Sequence, residues 1–294
     1  MKTVLVTSGN IGNYVAEGLT AKGVQVRVLV RKVSPNPRWQ AAGIEQVAGD
    51  LNRVESLAPA FRGVQKFFSV TPFVENLVEL GRNATEAAKR AGVEYIVRSS
   101  AIGASEDAPI TLDRWHGQVE STIEHSGIAH TILQPNTFMQ SYFMQAATIK
   151  SQHAFFLPQG EGKVSLVDVR DIAAVALVAL TESGHEGKKY TLTGPEALSN
   201  QDIATKLSKV LGTSVSYIDV SEEQARKTML SSGMPSWMVP ALLELSRISK
   251  DGYLADVSPV VKEVLKRTPT SFDQFLADHA QEFTDEQAAG SAAS

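Results

Sequence analysis

The sequence predicts a doubly wound α/β fold, a parallel sheet with helices on both faces, followed by a smaller and mostly helical C-terminal lobe. Three observations carry that prediction. The apolar run Val4-Leu5-Val6 leads into a turn holding Gly9 and Gly12, then an amphipathic segment with Ile11, Val15, Ala16 and Leu19 on one face, then a second apolar run over 24–30. Short apolar runs go on alternating with helical periodicities as far as residue 133, the rhythm of parallel strands with crossover helices. Beyond residue 194 helical spacing dominates.

Taken in order, the second strand ends at Arg31-Lys32 and is followed by the breaker Ser34-Pro35-Asn36-Pro37 and a short helix over 38–42. A third strand covers 45–48 and stops at Gly49-Asp50-Leu51. Val54, Leu57, Ala58 and Phe61 are spaced as a helix, and a fourth strand over 66–70 closes on Thr71-Pro72. Residues 77–91 form a strong helix ended by Gly92, and the fifth strand, 95–98, ends in Ser99-Ser100. A helix over 112–125 and a sixth strand over 130–133 follow. The pattern then changes to a Met- and aromatic-rich segment at 139–149, a loop-like stretch at 155–162, a short strand at 164–169, a helix N-capped by Asp171 and a strand at 190–193. The remaining helices cover 200–211, a stretch opening at Ser221, 235–249, 257–265 and 271–283, with a strand at 215–220. This divides the chain into a sheet lobe over 1–150, its sheet completed by about 164–193, a smaller substrate lobe over 194–283, and a disordered tail over 284–294.

With 43% hydrophobic and 20% charged residues the chain can build a substantial core. A net charge of −4 without like-charge blocks speaks against nucleic acid as partner, since phosphate backbones need a basic face. There is no cysteine, and the six histidines never fall as H-x-H or H-x-x-x-H, so no metal site is expected. No apolar stretch reaches about 18 residues and the N-terminus is already a strand, so a cytoplasmic chain without membrane association is expected. A homodimer is left open.

In a doubly wound sheet the ligand sits beyond the carboxyl ends of the strands. The turn Thr7-Ser8-Gly9-Asn10-Ile11-Gly12 aims backbone N–H groups and a helix N-terminus at one spot, which suits a phosphate. Arg31 and Lys32 stand where an acidic residue would bind a ribose 2′-hydroxyl, and bases there suit a 2′-phosphate. NADP(H) is therefore the expected cofactor; a solvated basic turn is the alternative. Asp50 and Leu51 would meet the adenine, or simply form an Asp turn. Ser69, Val70 and Thr71, with Ser99 and Ser100, are small enough for close approach on the ribose and nicotinamide side, or are ordinary strand-to-helix turns. The Tyr-x-x-x-Lys pair of the commonest reductases on this fold is absent. His116 and Glu120 are instead i, i+4 neighbours, so His116 is the candidate catalytic residue, with a half-buried surface histidine as the equal alternative. Phe73, Trp115, Phe138, Met139, Phe143, Met234 and Trp237 are candidates for an apolar wall around a small aromatic substrate.

In the order and spacing of Val4-Leu5-Val6-Thr7…Gly9-Asn10-Ile11-Gly12, Val28-Leu29-Val30-Arg31, Gly49-Asp50-Leu51, Ser99-Ser100-Ala101-Ile102-Gly103, Thr131 to Met139, Val167 to Ala173 and Pro269 to Phe275, the sequence resembles the NmrA-like family of atypical short-chain dehydrogenases/reductases. The branch it most resembles holds NADPH:quinone oxidoreductases and triphenylmethane dye reductases. The resemblance implies an NADP-binding Rossmann lobe, to which Pro135, Asn136 and Phe138 would also contribute, and hydride transfer to a quinone-like, dye-like or other conjugated acceptor without a Tyr–Lys pair. It implies as the alternative a non-catalytic NADP(H) sensor that regulates a protein partner. Two departures stand out: the family's Thr-Gly-Ala-Thr-Gly loop is about two residues shorter here and lacks its first glycine, and Gln134 replaces the usual Arg before Pro135.

Overall fold

The computed structural model describes residues 3–284; the tail expected from residue 284 lies, beyond Thr284 itself, outside the described residues. The first half of the chain lays down β1 (Thr3–Thr7), α1 (Asn10–Ala21), β2 (Gln25–Val30), α2 (Pro37–Ala41), β3 (Glu45–Ala48), α3 (Ala58–Phe61), β4 (Val64–Ser69), α4 (Leu77–Arg90), β5 (Tyr95–Ser99), α5 (Thr111–Glu124) and β6 (Ala129–Pro135). Then come α6 (Ala146–Gln152), β7 (Ala154–Leu157), β8 (Lys163–Val164), α7 (Val169–Thr181) and β9 (Lys189–Leu192). The rest is β10 (Leu198–Ser199), α8 (Asn200–Leu211), β11 (Ser216–Asp219), α9 (Glu222–Ser231), α10 (Met238–Lys250), α11 (Val260–Leu265) and α12 (Phe272–His279).

The chain forms two compact units. The first takes the residues up to Pro135, Val169–Leu192 and Glu263–Lys266; the second takes Asn136–Asp168, Thr193–Lys262 and the chain from Arg267. In the first unit seven strands form one sheet in the order β3-β2-β1-β4-β5-β6-β9, every pair parallel. This is the doubly wound fold that the strand–helix alternation predicts. The order reverses at β1, which pairs with β2 on one edge and β4 on the other. All five of its residues are buried, the burial pattern of a central parallel strand.

Helix packing follows from small residues. A Cβ on Gly18 of α1 would lie 2.4 Å from Leu177 Cδ1 of α7, and a Cβ on Gly81 of α4 would lie 2.5 Å from Val119 Cγ2 of α5, so each glycine lets a pair of helices approach. Beneath α4 and α5 the core takes Leu5, Leu29, Phe67, Ile96 and Ile132 from five successive strands of the sheet, with Leu77, Ala84, Ala88, Val119 and Ile123 from the helices. Phe61 meets Phe67 edge-on at 5.0 Å between ring centroids.

In the second unit several elements differ from expectation. Ala154–Leu157, expected as loop over 155–157, is a strand because Ser216–Asp219 supplies a parallel partner about sixty residues on. The strand expected over 164–169 is reduced to Lys163–Val164, paired antiparallel with Leu198–Ser199. Beyond it the backbone bonds to loops: Ser165 N–H donates to Leu254 O at 2.9 Å and Val167 N–H to Thr137 O at 3.0 Å. Helix α7 begins at Val169, so Asp171 lies within its first turn rather than capping it. Local signals do hold elsewhere. Ser199 and Asp202 form a reciprocal capping box on α8, and Ser221 and Ser271 accept from the backbone N–H of Gln224 and Gln274 at the starts of α9 and α12. Among the described residues no helix is long and apolar enough to cross a membrane.

The entry of α1 depends on Gly12. A Cβ there would sit 1.9 Å from the carbonyl oxygen of Thr7. Gly12→Ala is expected to lower the unfolding free energy by about 2 kcal/mol or more, since backbone has to shift to admit the methyl. A urea midpoint equal to wild type would show that the approach relaxes freely.

Candidate functional site

The carboxyl ends of β1 to β6 place most of the predicted residues along one edge of the sheet. At the end of β1, the Thr7 hydroxyl accepts from Val70 N–H at 2.7 Å and donates to Phe68 O at 3.3 Å, joining β1 to the end of β4 where the strand order reverses. Such a switch point is where open α/β sheets bind ligands. Gly9 has φ 141° and ψ −178°, a conformation essentially confined to glycine, and a Cβ on it would find nothing within 4 Å, so this face of the turn is open. The two glycines thus divide the work: Gly9 makes the turn and Gly12 lets the helix approach β1. Asn13 tightens the same turn by accepting from Gly9 N–H at 3.2 Å. The N–H groups of Asn10, Ile11 and Gly12 open α1 and have no carbonyl one turn back within it.

At the end of β2, Arg31 and Lys32 are both exposed, and neither has a hydrogen-bond or ion-pair partner among the described residues. At the end of β3, Gly49 N–H donates to Val30 O at 2.9 Å. The Asp50 carboxylate accepts from the backbone and side-chain amides of Asn52, each at 3.0 Å, and Arg53 stands 3.7 Å away. Those hydrogen bonds, and then the two cations Arg53 and Arg31, hold its carboxyl below the usual range. Leu51 packs half-buried against the core, and its carbonyl accepts from Asn83.

The ends of β4 and β5 hold a group that the sequence reading missed. Arg98, in β5, is 0% exposed. Its Nη2 donates to Thr71 Oγ1 at 2.8 Å and lies 3.3 Å from His116 Nδ1; its Nη1 reaches Ser69 O at 3.4 Å. Its Nε is buried without a partner. Burial, opposed by the charge of Glu120, pulls this guanidinium down to about 10. His116 sits half-buried on α5. Burial first, then the Arg98 charge, pushes its imidazole down to about 3, so the ring is neutral at pH 7. Glu120 does not orient it. That carboxylate, 2% exposed, accepts instead from Ser100 Oγ at 2.5 Å, Gln134 Nε2 at 3.0 Å and Lys189 Nζ at 3.0 Å. The clue to Arg98 in the sequence is a lone charge directly after the apolar run Tyr95-Ile96-Val97, within the same strand. Phe73 in the turn after β4 and Trp115 beside His116 are half-buried, Trp115 against the core. Pro135 closes β6, and its carbonyl accepts from Ile102 N–H at 2.9 Å.

The remaining predicted residues belong to the second unit, and most are committed to its own structure. Asn136 is 2% exposed; its side chain donates to Ser165 Oγ and Leu254 O at 2.8 and 2.9 Å and accepts from Thr137 N–H at 2.7 Å. That saturation leaves its amide as a loop brace. Met139 is 1% exposed and is sealed into the core rather than forming an open wall. Phe143 stacks in a cluster with Phe275, His279 and Phe283. Met234 packs against Ala225, Val239 and Leu243. Phe138 bridges to Val167, and Trp237, which precedes α10, is half-buried. A surface hollow under Val4, Leu19, Lys66 and Leu180 lies at the amino ends of the strands, the wrong edge for a ligand of this fold. Among the described residues no group of three His, Asp or Glu side chains is placed to hold a metal.

Comparison with known proteins bears on the family and the fold. The model of the NmrA-like family matches residues 1–276. An NAD(P)H azoreductase of Xenophilus azovorans is 40% identical over 283 residues, 96% of this chain and 99% of its own length. The structure of an NADPH-dependent quinone oxidoreductase of Escherichia coli in complex with NADPH superposes with a TM-score of 0.86 at 28% identity, covering 94% of this chain and 99% of that one. A Citrobacter triphenylmethane reductase in complex with NADP(H) gives 0.83 at 25% identity, covering 95% and 99%.

The depressed His116 has a thermodynamic consequence. Its folded pKa lies below the unfolded value of about 6.5, so the unfolded chain takes up the proton first. The associated stability is present above pH ~6.5 and is lost as the pH falls toward about 3. From pH ~7.5 to ~5 the wild type is expected to lose about 1 kcal/mol more than His116→Asn, a figure discounted for the ring's partial exposure. Urea titrations at the two pH values measure it; identical losses in both proteins would refute the buried neutral ring.

Proposed function

This chain belongs to the NmrA-like family, and from that premise we propose that it is an NADPH-dependent reductase of a conjugated small-molecule acceptor such as an azo dye or a quinone. The observation that carries the reading is the pair of exposed cations Arg31 and Lys32 at the end of β2, without a hydrogen-bond or ion-pair partner among the described residues, beside a turn that is open at Gly9 and leads into the unpaired first N–H groups of α1. A 2′-phosphate needs such cations, and a pyrophosphate needs such N–H groups. The residues therefore fit NADPH, which when bound supplies a hydride.

In this reading the N–H groups of Asn10, Ile11 and Gly12 hold the pyrophosphate, and Arg31 and Lys32 the 2′-phosphate. Leu51 and the carboxylate of Asp50 border the adenine. Ser69, Val70, Thr71, Ser99 and Ser100 let the ribose and nicotinamide approach the strand ends. The shortened turn keeps its function because Gly9 and Gly12 still provide the bend and the close helix. Quinones and azo compounds accept a hydride readily because the charge spreads over a conjugated system, so strong acid catalysis is dispensable. That accounts for the missing Tyr-x-x-x-Lys pair. The azoreductase that shares 40% of its residues supports the acceptor class.

Steady-state oxidation of NADPH with a panel of azo dyes and quinones tests the proposal; tight NADPH binding with no turnover on any acceptor would sink it. Arg31→Ala should raise Kd for NADPH about 10- to 100-fold, the loss of one charge-assisted contact, and leave NADH nearly unaffected. Equal loss for both nucleotides would refute the 2′-phosphate assignment.

A further inference from the structure

Arg98 is the only wholly buried arginine among the described residues, and its surroundings constrain the ring beside it. A guanidinium carries N–H donors and no acceptor. The 3.3 Å contact between Arg98 Nη2 and His116 Nδ1 is therefore a donation from Arg98 into the lone pair of Nδ1. Nδ1 is then unprotonated, and the ring's one proton resides on Nε2. A second proton on the ring would set N–H against N–H. The donor itself cannot swing away: it is 0% exposed and is pinned by Thr71 Oγ1 at 2.8 Å and Ser69 O at 3.4 Å. Nε2 of His116 has no hydrogen-bond partner among the described residues and is not wholly buried, which leaves its N–H unspent.

We infer that Arg98 is a positioning residue which locks His116 as the neutral Nε2–H tautomer, so that His116 serves as a hydrogen-bond donor to the acceptor atom that gains charge and not as a source of protons. The state of the ring stands on geometry; its use in reduction rests on the reductase reading above. Among the described residues no carboxylate is bonded to the ring. On α5, Glu120 is bonded to Ser100, Gln134 and Lys189 of β9, and Asp113 faces the Gly103 turn, where a Cβ would lie 3.2 Å from its Oδ2. Arg98 is the charged group of β5 that meets the ring. When the acceptor takes up a hydride, two electrons and one proton, it becomes an anion at a carbonyl oxygen or azo nitrogen. The Nε2–H stabilises that anion and stays on the histidine. The second proton of the product comes from water.

Nitrogen NMR of the histidine-labelled full chain tests the lock directly, with His116→Gln assigning the resonance. The expected spectrum shows His116 with a bare Nδ1 and a protonated Nε2, unchanged from pH ~5 to ~8. A ring protonated on Nδ1, or one that titrates in that range, overturns the inference. The role is tested by kcat/KM against pH with an azo or quinone acceptor. His116→Gln, which retains an N–H donor, should stay within about 10-fold of wild type, whereas His116→Leu should lose about 100-fold. Arg98→Met should add a pH-dependent limb near the ordinary histidine pKa of about 6.5. Equal losses in Gln and Leu variants, with an acid limb already present in wild type, would make His116 a general acid and overturn the role. A locked ring in a chain with no turnover would uphold Arg98's control of the tautomer and remove the reductase reading instead.

Discussion

Strand β1 is the constraint from which the site follows. It is buried along its whole length and hydrogen-bonded on both edges, so its neighbours β2 and β4 are fixed by the ladder and the sheet must grow outward in two directions from it. That reversal places the turn after β1 and the ends of β2 and β4 along one edge. The Thr7 hydroxyl ties β1 to β4 there, and the absence of a Cβ on Gly12 lets α1 start close against it. The openness of the Gly9 turn and the direction of the helix are consequences of packing.

Positive charge appears on this edge in two physically different forms. Arg31 and Lys32 are solvated, cost little to keep unpaired, and can exchange water for an anion. Arg98 is buried, which costs several kcal/mol before its hydrogen bonds to Thr71, Ser69 and His116 offset part of that. Glu120 shows how a buried charge is stabilised when fully partnered: three donors converge on one carboxylate. Arg98 has no such carboxylate, and its Nε stays orphaned. A group held at that cost orders the residues around it.

Much of this was legible in the residues. Apolar runs alternating with helical spacing identify the parallel, doubly wound sheet, and the strand ends named from the sequence are the ones that share an edge. The helix start at Ser221 was readable because capping is local. The short strands at 154–157 and 216–219 were harder, since each owes its conformation to the other across about sixty residues. The Met- and aromatic-rich wall was legible only as composition. Met139 is core and Phe143 is held by Phe275 and Phe283, a distinction that depends on what packs on each side.

By itself the sequence determined the fold class, the basic end of β2, the two glycines of the first turn and the lack of a Tyr–Lys pair, because each is a property of neighbours in the chain or of periodicity. Only the tertiary structure decided which partner each polar side chain takes. The i, i+4 spacing of His116 and Glu120 suggests a pair, yet Ser100, Gln134 and Lys189 converge on Glu120, and Arg98, from another strand, turns to the histidine. A buried hydrogen bond goes to the donor that the fold brings within about 3 Å, and that distance is set by strands far apart in sequence.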